Sequence, residues 1–420
     1  MKSDTRSSNA ELESQEKSTV DVSKFPEGGI QAWLVAAGGF SITFSCLGFS
    51  NSFGSFAEYY ISNQLRERSP DDIAWIGSIS AFLQLATGVF FGPLFDRFGA
   101  GVIRPAAVTY VFAIMMLSLC KDYWHFMIVQ GVLMGVAMGG MQFPVFAAVS
   151  QYFEKKRAAA LGIVIAGSSV GGVIIPIAVS RMLNGSSLGF AWSVRVIGFL
   201  LMPFMAFACF VVKARLPPRT ATLWIASAYM DRKFILLIIA FFFNFIGMMT
   251  PLFYLPTYAV SRDMDPTLAG YLLAILNATS TFGRIIPGVL ADKYGRLNTF
   301  AFGGIFTGVA IFCMDSVQTS SSLIVYAIAI GFVSGTIISG ASTAFTTCPK
   351  DPQDMGTWLG MGMAVSSLGA LIGPPVNGAL VDHYGGFFEV SIFSGAMCLS
   401  GGFVALSAKL TTSEGFFGMV

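Results

Sequence analysis

From Ile30 to Lys409 the chain alternates between long apolar runs and short polar breaks, and that rhythm leaves few folds open. A helix that spans a bilayer needs about 20 mostly apolar residues. Runs of that kind fall at 30–60, 73–95, 101–120, 124–151, 156–184, 190–213, 233–260, 267–291, 297–315, 321–347, 356–382 and 386–409. Hydrophobic residues make up 54% of the chain and charged residues 11%, against about 25% charged in a soluble domain. Lipid accepts that apolar surface without a covering layer. The 40 Phe suit lipid faces, and the 46 Gly suit close helix–helix crossings. The expected fold is an all-α membrane protein of about 12 transmembrane helices.

The longest tight polar stretch between runs, 214–232, falls after the sixth. It divides the chain into an N-terminal six-helix half (26–213), a linker (214–232) and a C-terminal six-helix half (233–420). Residues 1–25 are polar, of mixed charge and without an apolar run, and read as a disordered tail with no cleavable signal. With the N-terminus placed in the cytoplasm, the cytoplasmic connections hold 14 basic residues and the opposite side 6. The positive-inside rule then sets both termini in the cytoplasm, and the plasma membrane is the expected location. These residues and four in the tail account for every Lys and Arg but Arg284, which stands inside the eighth run.

Several classes drop out. The six cysteines are scattered, mostly within apolar runs, with no C-x-x-C pair or Cys/His cluster, so neither a disulfide framework nor a metal site is expected. The two histidines, His125 and His383, lie at outer helix ends, and no Ser/His/Asp set or phosphate-cradling loop is present. No enzyme activity, cofactor, nucleic-acid partner or obligate protein partner is expected. Uphill movement would draw on an ion gradient or exchange, with the proton as a candidate coupling ion.

One element repeats. Gly92-Pro93-Leu94-Phe95-Asp96-Arg97-Phe98-Gly99 closes the second run and Gly288-Val289-Leu290-Ala291-Asp292-Lys293-Tyr294-Gly295 the eighth. A weaker echo, Gly378 to Gly385, ends the eleventh on the other face. Glycine lets helices approach, and the Asp accepts hydrogen bonds from a neighbouring helix end. The basic residue stays among headgroups. Gly92, Asp96, Arg97, Gly288, Asp292 and Lys293 are therefore candidate gate residues.

This repeat resembles the motif between helices 2 and 3 of the major facilitator superfamily. Two further stretches are similar to signatures of its monocarboxylate-porter family, Pro26-Glu27-Gly28-Gly29-Ile30-Gln31-Ala32-Trp33 and Tyr152-Phe153-Glu154-Lys155-Lys156-Arg157 with Ala160-Leu161-Gly162. The spacing from Gly29 to Trp33, with Gly48-Phe49-Ser50-Asn51-Ser52-Phe53-Gly54, looks most like the fungal branch. The resemblance implies a transporter working by alternating access.

A charge at the centre of a bilayer costs at least about 2.5 kcal/mol. Arg284 is easier to explain if it faces a wet cavity and binds an anion, because its planar fork matches a carboxylate. The resemblance implies the same role for an Arg in the eighth helix. Tying Arg284 to backbone carbonyls or to another helix is the alternative. Asn277, two turns earlier on the same face, joins it as a candidate substrate contact, as do Ser280, Asn51 and Tyr254, the last between Pro251 and Pro256. Ser280 and Asn51 stand where animal members of the family keep an Asp and a Lys, so their proton-coupled cycle does not carry over. Gln84, Gln130, Gln142, Asn244, Asn377 and Tyr258 read as contacts between helices. The expected cargo is a monocarboxylate or related small organic anion. Export of a fungal secondary metabolite, or uptake of a vitamin-like solute, is the alternative, and a non-transporting nutrient sensor a third.

Overall fold

The computed structural model describes residues 25–68, 70–184, 186–217 and 225–412, so the tail expected over 1–25 lies, but for Phe25, outside the described residues. Among the described residues the secondary structure is helical throughout. We label the crossings α1 (Gly29–Ser62), α2 (Pro70–Ala86 continued by Gly88–Phe98), α3 (Ile103–Leu117), α4 (Tyr123–Ser150), α5 (Arg157–Asn184) and α6 (Gly189–Val211). The second half holds α7 (Arg232–Ser261), α8 (Pro266–Tyr294), α9 (Arg296–Phe312), α10 (Ser320–Phe345), α11 (Met355–Tyr384) and α12 (Phe388–Lys409). The stretch Asp72–Leu117 is helical over 46 residues, too long for one crossing. It turns back at Gly99, whose φ of 65° suits glycine, and so supplies both α2 and α3. Twelve crossings result among the described residues, each within a few residues of its apolar run.

Three helices of the second half, α7, α8 and α10, begin on a local side-chain cap. The Asp231 carboxylate accepts from Phe234 N–H at 3.0 Å to open α7, and Asp265 does the same for Leu268 at 3.1 Å, with Pro266 in the first turn of α8. Burial sorts the crossings by depth: α4 is buried along most of its length, whereas α6 turns Phe199, Leu200 and Phe210 toward lipid.

Glycines set the crossings that build the centre. A Cβ at Gly48 of α1 would stand 2.7 Å from the Gly171 Cα of α5, so the two backbones touch there. On its other flank α5 packs against α8 of the second half, and α8 in turn packs against α10. Within each half, buried polar groups pair between helices: Gln84 donates to Gln142 at 2.6 Å and Tyr60 to Gln130 at 2.8 Å. In the second half Asn377, Thr250 and Ser394 close a three-membered ring. These are the helix-to-helix contacts expected of Gln84, Gln130, Gln142 and Asn377. Tyr258 joins them by donating to the Asp315 and Val317 carbonyls.

Candidate functional site

Two junctions between the halves are built from the residues singled out above. The first lies midway along α5 and α8. Gly48 brings α1 onto α5, and one turn later α1 breaks at Ser52, which leaves Asn51 at the break. The Asn51 amide reaches the Ser168 carbonyl of α5 at 3.5 Å. From the other half, the Arg284 guanidinium of α8 donates through Nη1 to the Ile165 carbonyl at 2.9 Å and to the Ser168 hydroxyl. Arg284 is only 6% exposed, and its Nε is buried with no hydrogen-bond partner. Asn277, buried on the same helix, meets Asn51 across Gly172: a Cβ there would lie 2.6 Å from Asn51 Nδ2 and 3.1 Å from Asn277 Cγ. Arg284, Asn277, Asn51, Ser168 and Gly172 thus form one group at the seam between the halves.

Two expected members lie elsewhere. Ser280 faces α10, where a Cβ at Gly335 would lie 2.9 Å from its hydroxyl. Tyr254 donates to the Pro374 carbonyl of α11 at 3.0 Å, a contact within the second half. Ser168 and Gly172 sit in a Gly/Ser-rich stretch that reads only as a pliable helix, so composition alone does not mark them as partners of Arg284.

The second junction lies at the end where α1 begins and α12 finishes. Here Asp96 of α2 accepts from the Gly356 N–H at 3.0 Å and from the N–H and hydroxyl of Thr357 at 2.6 Å each, capping α11 of the opposite half. Asp292 of α8 accepts from the N–H groups of Ala158 and Ala159 at 3.0 and 2.8 Å, capping α5. The two repeats therefore make the same contact in exchange. Their glycines make the approach possible. A Cβ at Gly92 would overlap the Gly356 carbonyl oxygen, and one at Gly288 would lie 2.8 Å from that of Ala158. The basic residues of the repeats stand outside this contact: Arg97 and Lys293 are exposed and lie over the neighbouring rings of Phe98 and Tyr294. Arg296 serves instead, reaching Asp292 at 3.3 Å and the Glu154 carbonyl. Arg157, buried, crosses to the Thr346 carbonyl at 3.1 Å. Nothing in the run Lys155-Lys156-Arg157 distinguishes its third member in sequence; burial does. The echo at Asp382 is exposed, and among the described residues we find no helix start that it caps.

This end is closed by bonds between halves, while the middle of the seam holds a buried cation and two amides. That division is what a carrier with a single central site requires. The family model for the major facilitator superfamily matches residues 38–348 and, again, 237–415. The chain belongs to the major facilitator superfamily. It is a membrane transporter with the two-half fold of that superfamily. Among its relatives, the aspyridones efflux protein apdF of Emericella nidulans is 47% identical over 391 residues, covering 93% of this chain and 80% of that one. The agnestins efflux protein of Paecilomyces divaricatus is 36% identical over 390 residues, covering 92% and 89%. Among solved superfamily structures, the transporter FucP superposes with a TM-score of 0.72 at 14% identity, over 90% of this chain and 98% of that one. The human organic anion transporter MFSD10 gives 0.70, also at 14% identity, over 90% and 100%. These last two establish the fold.

Proposed function

We propose that this transporter exports a small organic anion, a weakly acidic metabolite with an apolar body, by alternating access. Arg284 carries the reading: a guanidinium buried at the seam, with a free N–H and no carboxylate against it among the described residues. An ionised ligand group would take that donor and offset the cost of the buried charge. Asn51 and Asn277 flank it from opposite halves and would hold further polar groups of the cargo. A buried cation suits a carboxylate, an enolate or an acidic phenol alike, so monocarboxylates are one case of a wider class. The relatives named as efflux proteins support outward transport.

The basic residues at the closed end support placing that end, with both termini, in the cytoplasm, and export supports the plasma membrane. An anion leaving a cell with a negative interior gains about 2.3 kcal/mol per charge per 100 mV. Outward transport of such a cargo therefore needs no proton, and Ser280, where animal relatives of the monocarboxylate-porter family keep an Asp, fits a carrier without one. Ordering of the two junctions gives the cycle. The Asp96 and Asp292 caps hold the cytoplasmic end shut, cargo binding at Arg284 follows their opening, and reclosure carries the site to the outer side.

The test is flux from proteoliposomes loaded with a panel of aromatic carboxylates, acidic phenols and neutral analogues under a clamped potential. Anions should leave faster as the interior is made more negative, with no response to a pH gradient. Equal flux of neutral analogues, or strict dependence on the pH gradient, would refute the proposal.

A further inference from the structure

Two stretches that carry the family resemblance, 26–33 and 152–157, lock onto each other. Glu27 adopts a φ of 54°, a left-handed conformation uncommon for a residue with a side chain. That conformation directs its carboxylate at three consecutive backbone donors, Glu154 N–H at 2.8 Å, Lys155 N–H at 2.6 Å and Lys156 N–H at 3.2 Å. Its own N–H donates to the Tyr152 carbonyl at 3.1 Å. Nearby, the Trp33 ring packs on Phe153 with centroids 5.1 Å apart, and the Phe25 ring takes the guanidinium groups of Arg157 and Arg215 at 5.5 and 5.2 Å. The turn held in this way bears the contacts with the other half. Its Glu154 carbonyl takes Arg296, its Arg157 reaches Thr346, and the next two N–H groups take Asp292.

We propose that Glu27 is a positioning residue of the gate: it fixes the 152–157 turn in the shape that the second half grips. It touches no residue of the central site, so its effect is on the balance between closed and open states. Both Asp caps break together when the halves rock apart, so a looser turn shifts that balance and frees α11 as well as α5. The proposal rests on the closed end being the gate of the transport cycle.

Hydrogen exchange on the full chain in nanodiscs separates this role from a local one. Glu27→Gln keeps the size but puts donors against donors, and Glu27→Gly suits the left-handed backbone while deleting the carboxylate. Both variants should speed exchange about tenfold at Gly356 and Thr357, which Glu27 does not touch, as well as at 154–156. Faster exchange confined to 154–156, or none, would overturn the proposal. Asp96→Asn is measured alongside at Ala158 and Ala159. If its exchange there stays at the wild-type rate, the two caps do not open together, and the gate reading itself fails.

Discussion

Asp96 and Thr357, 261 residues apart in sequence, meet through two hydrogen bonds of 2.6 Å, one to the backbone N–H and one to the hydroxyl. Each partner lies in a different half, so the bond measures closure directly. Hydrogen bonds to a charged group contribute about 1.5–3 kcal/mol each. Asp96→Asn, which puts an NH2 group where a donor must be met, should raise the open fraction at this end by about tenfold to a hundredfold on that scale. Distances between spin labels at positions 156 and 350 report it, as a longer-distance population larger than in the wild type.

The two repeat glycines differ in clearance. Gly92→Ala drives a methyl into the Gly356 carbonyl, whereas Gly288→Ala brings one to 2.8 Å from the Ala158 carbonyl oxygen, a smaller overlap that still forces the two backbones apart. Transport should fall more than tenfold with the first and by a lesser factor with the second, with both proteins retaining their helical content. Equal losses would mean that the two gate contacts do not bear the closure in proportion to their fit.

Arg284→Ala should abolish flux of an anionic cargo while the protein stays folded, and Arg284→Lys should recover only a small part of it. A lysine ammonium is a point charge without the planar fork, and cannot offer two parallel hydrogen bonds to an acid group. Initial rates at several cargo concentrations decide the matter. Normal transport by the alanine variant would exclude Arg284 as the anion contact.

Gly172→Ala tests the amide pair. Its methyl would crowd Asn51 Nδ2 and Asn277 Cγ, both side-chain atoms that can rotate away, so folding should survive. The expected effect is a KM raised about fivefold to twentyfold, or a changed order of preference among cargoes, with less change in maximal rate. A shift of 1 kcal/mol corresponds to about a fivefold change in binding. An unchanged KM across the panel would remove the two asparagines from the binding site.

Orientation can be read from native thiols. Cys313 is exposed just beyond α9, at the end opposite the start of α1, whereas Cys348 is buried at the closed end and its thiol is pushed up to about 12 by burial. At pH 8 Cys348 therefore stays a protonated, slowly reacting thiol, and its reactivity rises only as the pH climbs toward that value. An impermeant maleimide applied to intact cells should label Cys313 and spare Cys348. Labelling of Cys313 only after permeabilisation would place the termini outside.

Much of the fold was legible because each crossing announces itself by its own length and apolarity. The Gly-Asp pairs that join the two halves stood out in the sequence because they occur twice. What the sequence withheld was partnership. Gly162, Gly356 and Thr357 are small residues in helices full of small residues, and only packing shows which of them meets an aspartate or its glycine. Tyr254 and Ser280 carry the same polar groups as a binding residue, yet each spends them on a neighbouring helix. Glu27 was visible as part of a signature, but the backbone amides it holds have no letter in a sequence.

The exchange of caps between halves has a consequence for how this end opens. Asp96 is 5% exposed, and in the closed state its oxygens are satisfied by the first turn of a helix that leaves when the halves part. Among the described residues no side-chain cation stands ready to replace those donors at Asp96, so water must. Parting and flooding of this end are then a single event: as Gly92 leaves Gly356, Asp96 exchanges helix donors for water.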